Sequence, residues 1–409
     1  MTIYDFINGI SSGEFDEQLR AIYGKSERNI LKNKARYISV AESFSGLYPE
    51  DEEIRVFSVG GALEIGGELT RYHGGKTLAA SLDADIISIA ALNNTHEIHF
   101  ASEMGEKFII DLKNMSKSDN DKSIPLVKQF ICNLIEKNTI CDGFDIYVSS
   151  DKSSYSVISS ESAVEVLLED VIGSLFIADE SKNSRLLETD MYSDLDHAVS
   201  ALGGFVLAEK SEYKKINFDF TGSGYSIFTA SSGNTHNKRS DRINSLSDIM
   251  NDIAEKIGID SFGEIDKEDF FEKLPELQQK YSNNELMYAA LYYEEAEKLE
   301  EASEALENGD TETFFDSMNH LRESATIFFK DYADSDYYDI ILAAAMCRSI
   351  LVGSGAVNIS NGTLIAFAPD YLVGLLTSKI SGSFKDLLCR TYNFRYKGIC
   401  ELKKSNITI

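Results

Sequence analysis

Positive charge is in short supply in this 409-residue sequence: 39 lysines and arginines stand against 67 aspartates and glutamates, a formal net charge of −28. Such a field repels nucleic acid and anionic membrane surfaces, so neither is expected as a partner. Long apolar runs are also lacking. The longest, residues 86–92 and 340–347, are too short to cross a bilayer. The opening residues, MTIYDFINGISSGEFDEQLR, are acidic on balance and carry no apolar signal core, which leads us to expect a cytoplasmic protein. Cys132, Cys141, Cys347, Cys389 and Cys400 form no CxxC pair and join no His/Cys cluster. No metal site is therefore expected, and the cysteines read as reduced core thiols. No internal repeat is present. The 43% hydrophobic content is that of an ordinary globular chain, and at this length two domains are expected.

Hydrophobic spacing gives an alternation of helices and strands. The first fifty residues are helical, with residues 29–45 placing Ile30, Leu31, Ala35, Ile38, Val40 and Ala41 mostly at helical intervals. Residues 54–112 are strand-rich. A helix over 124–137, a strand over 144–150 and a helix over 162–176 follow. Residues 195–204 form a short helix stopped by Gly203 and Gly204, the best domain boundary. Strands are expected around 204–208, 216–220 and 225–230. A helical hairpin covers 285–308 and 312–329, with Gly309 between and Asp310 or Thr311 as cap. The Glu/Lys texture of LYYEEAEKLEEASEALENG reads as a solvated helix face. The tail gives a helix at 339–349, a strand at 356–368, a helix at 370–388 and a strand at 400–403.

The most informative stretch is residues 57–83, FSVGGALEIGGELTRYHGGKTLAASLD. Six glycines lie between Gly60 and Gly75, interleaved with Glu64, Glu68, Thr70, Arg71 and His73. Glycine lets a backbone turn tightly and approach a ligand closely. The stretch resembles the substrate loop of galactokinases, in the GHMP small-molecule kinase superfamily. One bacterial form of that loop is like FSAPGRTEIGGNHTDHQHGRVLAASVD. Without a gap the two agree at fourteen positions, among them Gly61, Glu64, Ile65, Gly66, Gly67, Thr70, Gly75 and Asp83. Further segments extend the likeness over nearly the whole chain. GFDIYVSS (143–150) looks like the strand leading to the family's phosphate loop, LDHAVSALGG (195–204) like its MDQxASAxGG segment, and GAVNISNGTLIAFAP (355–369) like its last glycine-rich strand.

The resemblance implies an α+β, two-domain GHMP kinase fold. Residues 1–205 would form an N-terminal α/β domain of ribosomal-S5-like type, and 206–409 a ferredoxin-like α+β domain with the helical hairpin. It also implies ATP and Mg2+ as cofactors and transfer of phosphate to a sugar hydroxyl. Such transfer needs positioned phosphates, cationic stabilisation and an oriented nucleophile. The family's phosphate loop, GSGLSSSA, aligns with residues 155–162, where Tyr155 and Val157 replace both glycines and Glu161 replaces a hydroxyl. Ser156, Ser159 and Ser160 are the candidate nucleotide contacts; alternatively Ser159 or Ser160 simply caps a helix, with Glu161 in its first turn. The family's arginine aligns with Ala62, which has no charge to offer. Losing such a donor costs on the order of a hundredfold to a thousandfold in rate. Lys76 and Lys152 are the cations that could replace it, but no spacing requires that.

The family's catalytic aspartate corresponds to Asp196, a base for the sugar hydroxyl or else a polar residue on a short helix. The sugar clamp is rewritten as Glu68-Leu69-Thr70-Arg71, making Glu64, Glu68 and Arg71 the candidate substrate contacts. Arg71 either pairs with Glu64 or Glu68, or grips an acidic ligand as a planar fork. The closing glycine loop is trimmed to Ser360-Asn361-Gly362. With phosphate loop, arginine, clamp and closing loop all altered, the expected function is a catalytically impaired galactokinase-like protein, a ligand sensor, regulator or interaction scaffold in carbohydrate metabolism. The alternative is an active ATP-dependent sugar kinase with altered substrate. A small sugar or acidic sugar and a protein partner are the expected interactors.

Overall fold

The computed structural model describes residues 1–48, 53–113, 126–138, 142–150, 160–176, 194–210, 212–232, 240–332 and 335–404. The chain divides into two compact units. The first comprises Met1–Ala62, Ser81–Gly204 and Phe394–Ile409; the second comprises Leu63–Ala80 and Phe205–Asn393.

Unit one opens with helices α1 (Ile3–Ser12), α2 (Asp16–Tyr23) and α3 (Glu27–Ser45). A capping box starts α1: Thr2 accepts from the Asp5 amide and Asp5 accepts from the Thr2 amide, satisfying two donors the helix leaves open. The sheet of this unit contains β1 (Ile54–Gly66), β2 (Thr77–Leu92), β3 (Glu97–Ser102), β4 (Lys107–Asp111), β5 (Phe144–Ser150) and β12 (Cys400–Glu401), in the order β12-β1-β2-β5-β3-β4. β3 and β5 are parallel, whereas β2 and β5 are antiparallel. The run IISIAA in β2 is largely apolar on both faces because both are covered. Ile87 and Ile89 join Phe6, Tyr37 and Phe44 of α1 and α3. Ile86 and Ala90 face the opposite core, with Ile131 of α4 (Leu126–Asn138) and Val166 and Val171 of α5 (Ser160–Phe176). Helix α6 (Leu195–Leu202) packs on α5.

In unit two the first residues of β2, Thr77 to Ala80, pair with β6 (Phe205–Glu209), which pairs with β7 (Glu212–Ile216). A separate antiparallel sheet has β8 (Tyr225–Ser232), β9 (Ala356–Ser360), β10 (Thr363–Pro369) and β11 (Leu387–Tyr392) in the order β11-β8-β10-β9. Six helices accompany it among the described residues: α7 (Ser240–Ile257), α8 (Lys267–Leu277), α9 (Asn283–Glu307), α10 (Thr311–Tyr332), α11 (Ser335–Leu351) and α12 (Asp370–Ser383). The hairpin expected near 285–329 is α9 and α10, packed on each other, and α9 starts at a Ser282–Glu285 capping box.

Three expectations need correction. The strand expected over 216–220 lies earlier, at Glu212–Ile216, because Asp219 instead accepts the Thr221 amide in a turn. The helix expected over 370–388 ends at Ser383, and Leu387 begins an edge strand paired with β8. The strand expected over 356–368 is a hairpin of β9 and β10. Its two-residue loop is Asn361-Gly362, with φ of 52° and 66°, the left-handed pair that a type I′ turn demands. Gly362→Ala should therefore cost about 1–2 kcal/mol, read as a lower denaturation midpoint.

No helix among the described residues is long and apolar enough to cross a membrane. Among the described residues, Cys132, Cys347, Cys389 and Cys400 are in no disulfide.

Candidate functional site

The glycine-rich loop runs from the end of β1 to the start of β2, entirely within unit two from Leu63 onward. Gly67 makes its sharpest bend, at φ 124°, and a Cβ there would lie 2.8 Å from the Thr77 Cα. Only glycine fits both demands. After it the chain makes a short 3-10 turn, Arg71–His73, and re-enters β2 at Thr77.

Three buried carboxylates hold this loop. Glu295 of α9 accepts the amides of Glu68 (3.0 Å), Leu69 (2.6 Å) and Thr70 (2.9 Å). Glu68 accepts the amide of Asn361, in the β9–β10 turn, at 2.7 Å. Glu64 accepts from Ser360 Oγ at 3.1 Å and forms an ion pair with Arg71. Asn358 Nδ2 donates to the Ile65 carbonyl at 2.7 Å. The trimmed glycine loop of the sequence is thus a turn fastened to the substrate-type loop through two of the three candidate substrate residues.

Burial drives the Glu295 carboxyl up to about 7, against the pull of its backbone donors, with the Glu64 charge adding to the rise. Burial also lowers His73 to about 4, which leaves it neutral near pH 7. Its carbonyl accepts from Ser261 Oγ at 2.8 Å and its ring meets Phe262 edge-on. Leu69, where the resembling family has histidine, lies in the apolar core of unit two. Lys76, one cation considered as a replacement for the arginine, is ion-paired with Glu300.

Other candidates lie in unit one. Ala62 is 2% exposed. Asp196 is half-buried in the first turn of α6, a helix capped by Asp194 through the His197 amide at 2.9 Å. His197 Nε2 lies 3.3 Å from a Glu169 carboxylate oxygen on α5. Ser156, Ser159 and Lys152 lie outside the described residues, as does the side chain of Ser160, the first residue of α5. The structure therefore brings Glu64, Glu68 and Arg71 together in one network, and it adds Glu295. Sequence reasoning took the α9 acidic texture as a solvated face and missed that residue. The signal was present: Tyr288, Tyr292, Glu295, Leu299 and Ala302 recur at alternating spacings of four and three, and all are buried. A charge inside an apolar helical stripe is a buried charge.

No family model matches the chain. A galactokinase of Lactococcus lactis subsp. lactis is 25% identical over 151 residues, 36% of this chain. The matched stretch spans only 38% of that relative's length. The crystal structure of Lactococcus lactis galactokinase complexed with galactose superposes with a TM-score of 0.66 at 17% identity, covering 89% of this chain and 99% of that one. The Methanococcus jannaschii mevalonate kinase gives a TM-score of 0.58 at 12% identity over 85% of this chain and 99% of its own. The chain is thus similar in sequence to galactokinase over part of its length and shares the fold of the galactokinase and mevalonate kinase structures.

Proposed function

We propose that this protein is a catalytically impaired galactokinase relative that serves carbohydrate metabolism as a ligand sensor, regulator or interaction scaffold. The observation that carries this reading is the internal use of the clamp. Glu64 and Arg71 bond each other, and Glu64 and Glu68 bond the Ser360–Asn361 turn. Glu64 and Glu68 are buried as well as internally bonded, which leaves them less to offer a sugar hydroxyl than an open clamp would.

ATP with Mg2+ would supply the phosphoryl group in a kinase of this kind. The described residues fit that pair poorly. The position of the stabilising arginine holds the buried methyl of Ala62, and a methyl supplies neither charge nor donor to a transferring phosphoryl group. No transfer step is assigned to these residues.

One feature favours the second reading, a working sugar kinase with altered substrate. Asp196 keeps its place in the first turn of α6 with part of its surface open, where a carboxylate can orient or deprotonate a hydroxyl. The two readings separate in one assay. Purified protein is incubated with Mg-ATP and a panel of neutral and acidic sugars that includes galactose, and ADP release is followed. We expect no sugar-dependent release. Turnover of about 1–100 per second, the ordinary range for kinases, would establish the second reading instead.

A further inference from the structure

Unit one contains a cleft of about 410 Å³, toward the small end of the roughly 300–1,000 Å³ typical of small-molecule sites. One wall is a single face of α3, where Lys32, Arg36, Ser39 and Ser43 follow one another at spacings of four, three and four. The opposite wall is β5, whose Tyr147 and Ser149 point to the same side of the strand. The acid on the rim, Glu103, accepts a hydrogen bond from Ser149 Oγ at 2.6 Å.

The charge behind the α3 wall is not balanced. Asp85 is fully buried and faces two guanidinium groups, Arg36 at 2.6 Å and Arg395 at 3.6 Å. Tyr23, Tyr37 and Cys400 adjoin this cluster, and burial raises the pKa of each, which keeps them neutral. Ser58 and backbone carbonyls around Arg395 supply dipoles but no charge. One carboxylate directly faces two guanidiniums, and Asp170, the other acid near Cys400, pairs with neither of them. Arg395 is sealed, whereas the Arg36 side chain is 24% exposed and lines the cleft. Lys32 adds a second positive charge at the mouth. In a chain of net charge −28, this is a local reversal of sign, and the rest of the lining is rich in hydroxyls.

We propose that the α3–β5 cleft of unit one binds a small anionic polyol of the sugar-phosphate class, its anion toward Arg36 and Lys32 and its hydroxyls toward the serines. This site uses none of the residues of the glycine-rich loop. It stands or falls independently of whether the protein phosphorylates a sugar.

The test is isothermal titration of the full chain with glucose 6-phosphate, glucose and inorganic phosphate, repeated on two variants of the exposed α3 face, Lys32→Glu and Ser39→Glu. The expected result is binding of glucose 6-phosphate to the wild-type protein, at least about tenfold weaker in each variant, the loss typical of a charge-assisted contact. Inorganic phosphate should bind more weakly and glucose not at all. The proposal is overturned if glucose 6-phosphate gives no binding or binds both variants as it binds the wild type. It is equally overturned if inorganic phosphate matches the sugar ester, since the hydroxyl lining would then contribute nothing.

Discussion

Asp85→Ala is expected to lower the stability of the protein by about 3–5 kcal/mol, the range for breaking a buried ion pair by removing one partner. Asp85 lies in β2, on the face that packs against α1–α3, and has no solvent contact on its side chain. It accepts from Tyr23 and from Ser58 Oγ at 3.0 Å, and it is the carboxylate that both Arg36 and Arg395 face. Without it, two cations are left near one another inside the protein. Burial by itself opposes the charge on Arg36, and Asp85 is the foremost of the groups that together more than offset it. Urea unfolding followed by circular dichroism measures the loss. Asp85→Asn retains size and hydrogen-bonding capacity but removes the charge, and it should lose nearly as much. An Asn variant of wild-type stability would mean that hydrogen bonding, not charge balance, holds this cluster.

Glu295 governs the second large effect, and here pH sets the size. Its carboxyl titrates at about 7 in the folded protein against an ordinary value of 4.5. The folded state therefore binds a proton more readily than the unfolded chain between those values. By linkage, the associated stability is fully present below pH 4.5 and is lost as pH rises to about 7, a change on the order of 3 kcal/mol. Above pH 7 the protein holds a buried carboxylate whose cost three backbone donors only partly offset. Wild-type protein should thus be less stable at pH 8 than at pH 5 by denaturant titration, and Glu295→Gln should narrow that gap because it does not titrate. A Gln variant with the full wild-type pH dependence would show that the titrating group is elsewhere. Glu295→Ala removes the acceptor of the Glu68, Leu69 and Thr70 amides together. Each buried donor so stranded costs about 1–3 kcal/mol, so this variant should be several kcal/mol less stable at pH 5, with the glycine-rich loop released.

The elements with clean periodicity were legible in the sequence. The helix expected at 29–45 is found at Glu27–Ser45, and the strand at 144–150 is found with those bounds. The glycine frame of residues 60–75 identified the kinase-like fold because backbone geometry at positions such as Gly67 restricts which residues can stand there. Less was legible where long-range pairing decides the outcome. Residues 356–368 are β-forming throughout, and only the Asn361-Gly362 pair marks the reversal. Residues 240–257 form a helix that sequence reading left unassigned. At the site, the choice for Arg71 between an internal pair and an external ligand depended on where Glu64 points, which spacing does not determine. Asp85 was not singled out at all, because its partners come from residues 36 and 395, far off in the sequence.

The path of the chain has a consequence for the order in which the molecule can form. Unit one closes only when Phe394–Ile409 returns to it, after unit two has been traversed. Ser58 receives the Arg395 guanidinium from 337 residues further along, and β12 completes its sheet beside β1. During synthesis the first unit therefore waits, with its sheet edge at β1 unpaired and Asp85 matched by Arg36 alone. An unpaired edge is a template for pairing with another chain, so partly made protein is the form most exposed to association. Chains shortened before Arg395 should accumulate as aggregates rather than as a separable first half.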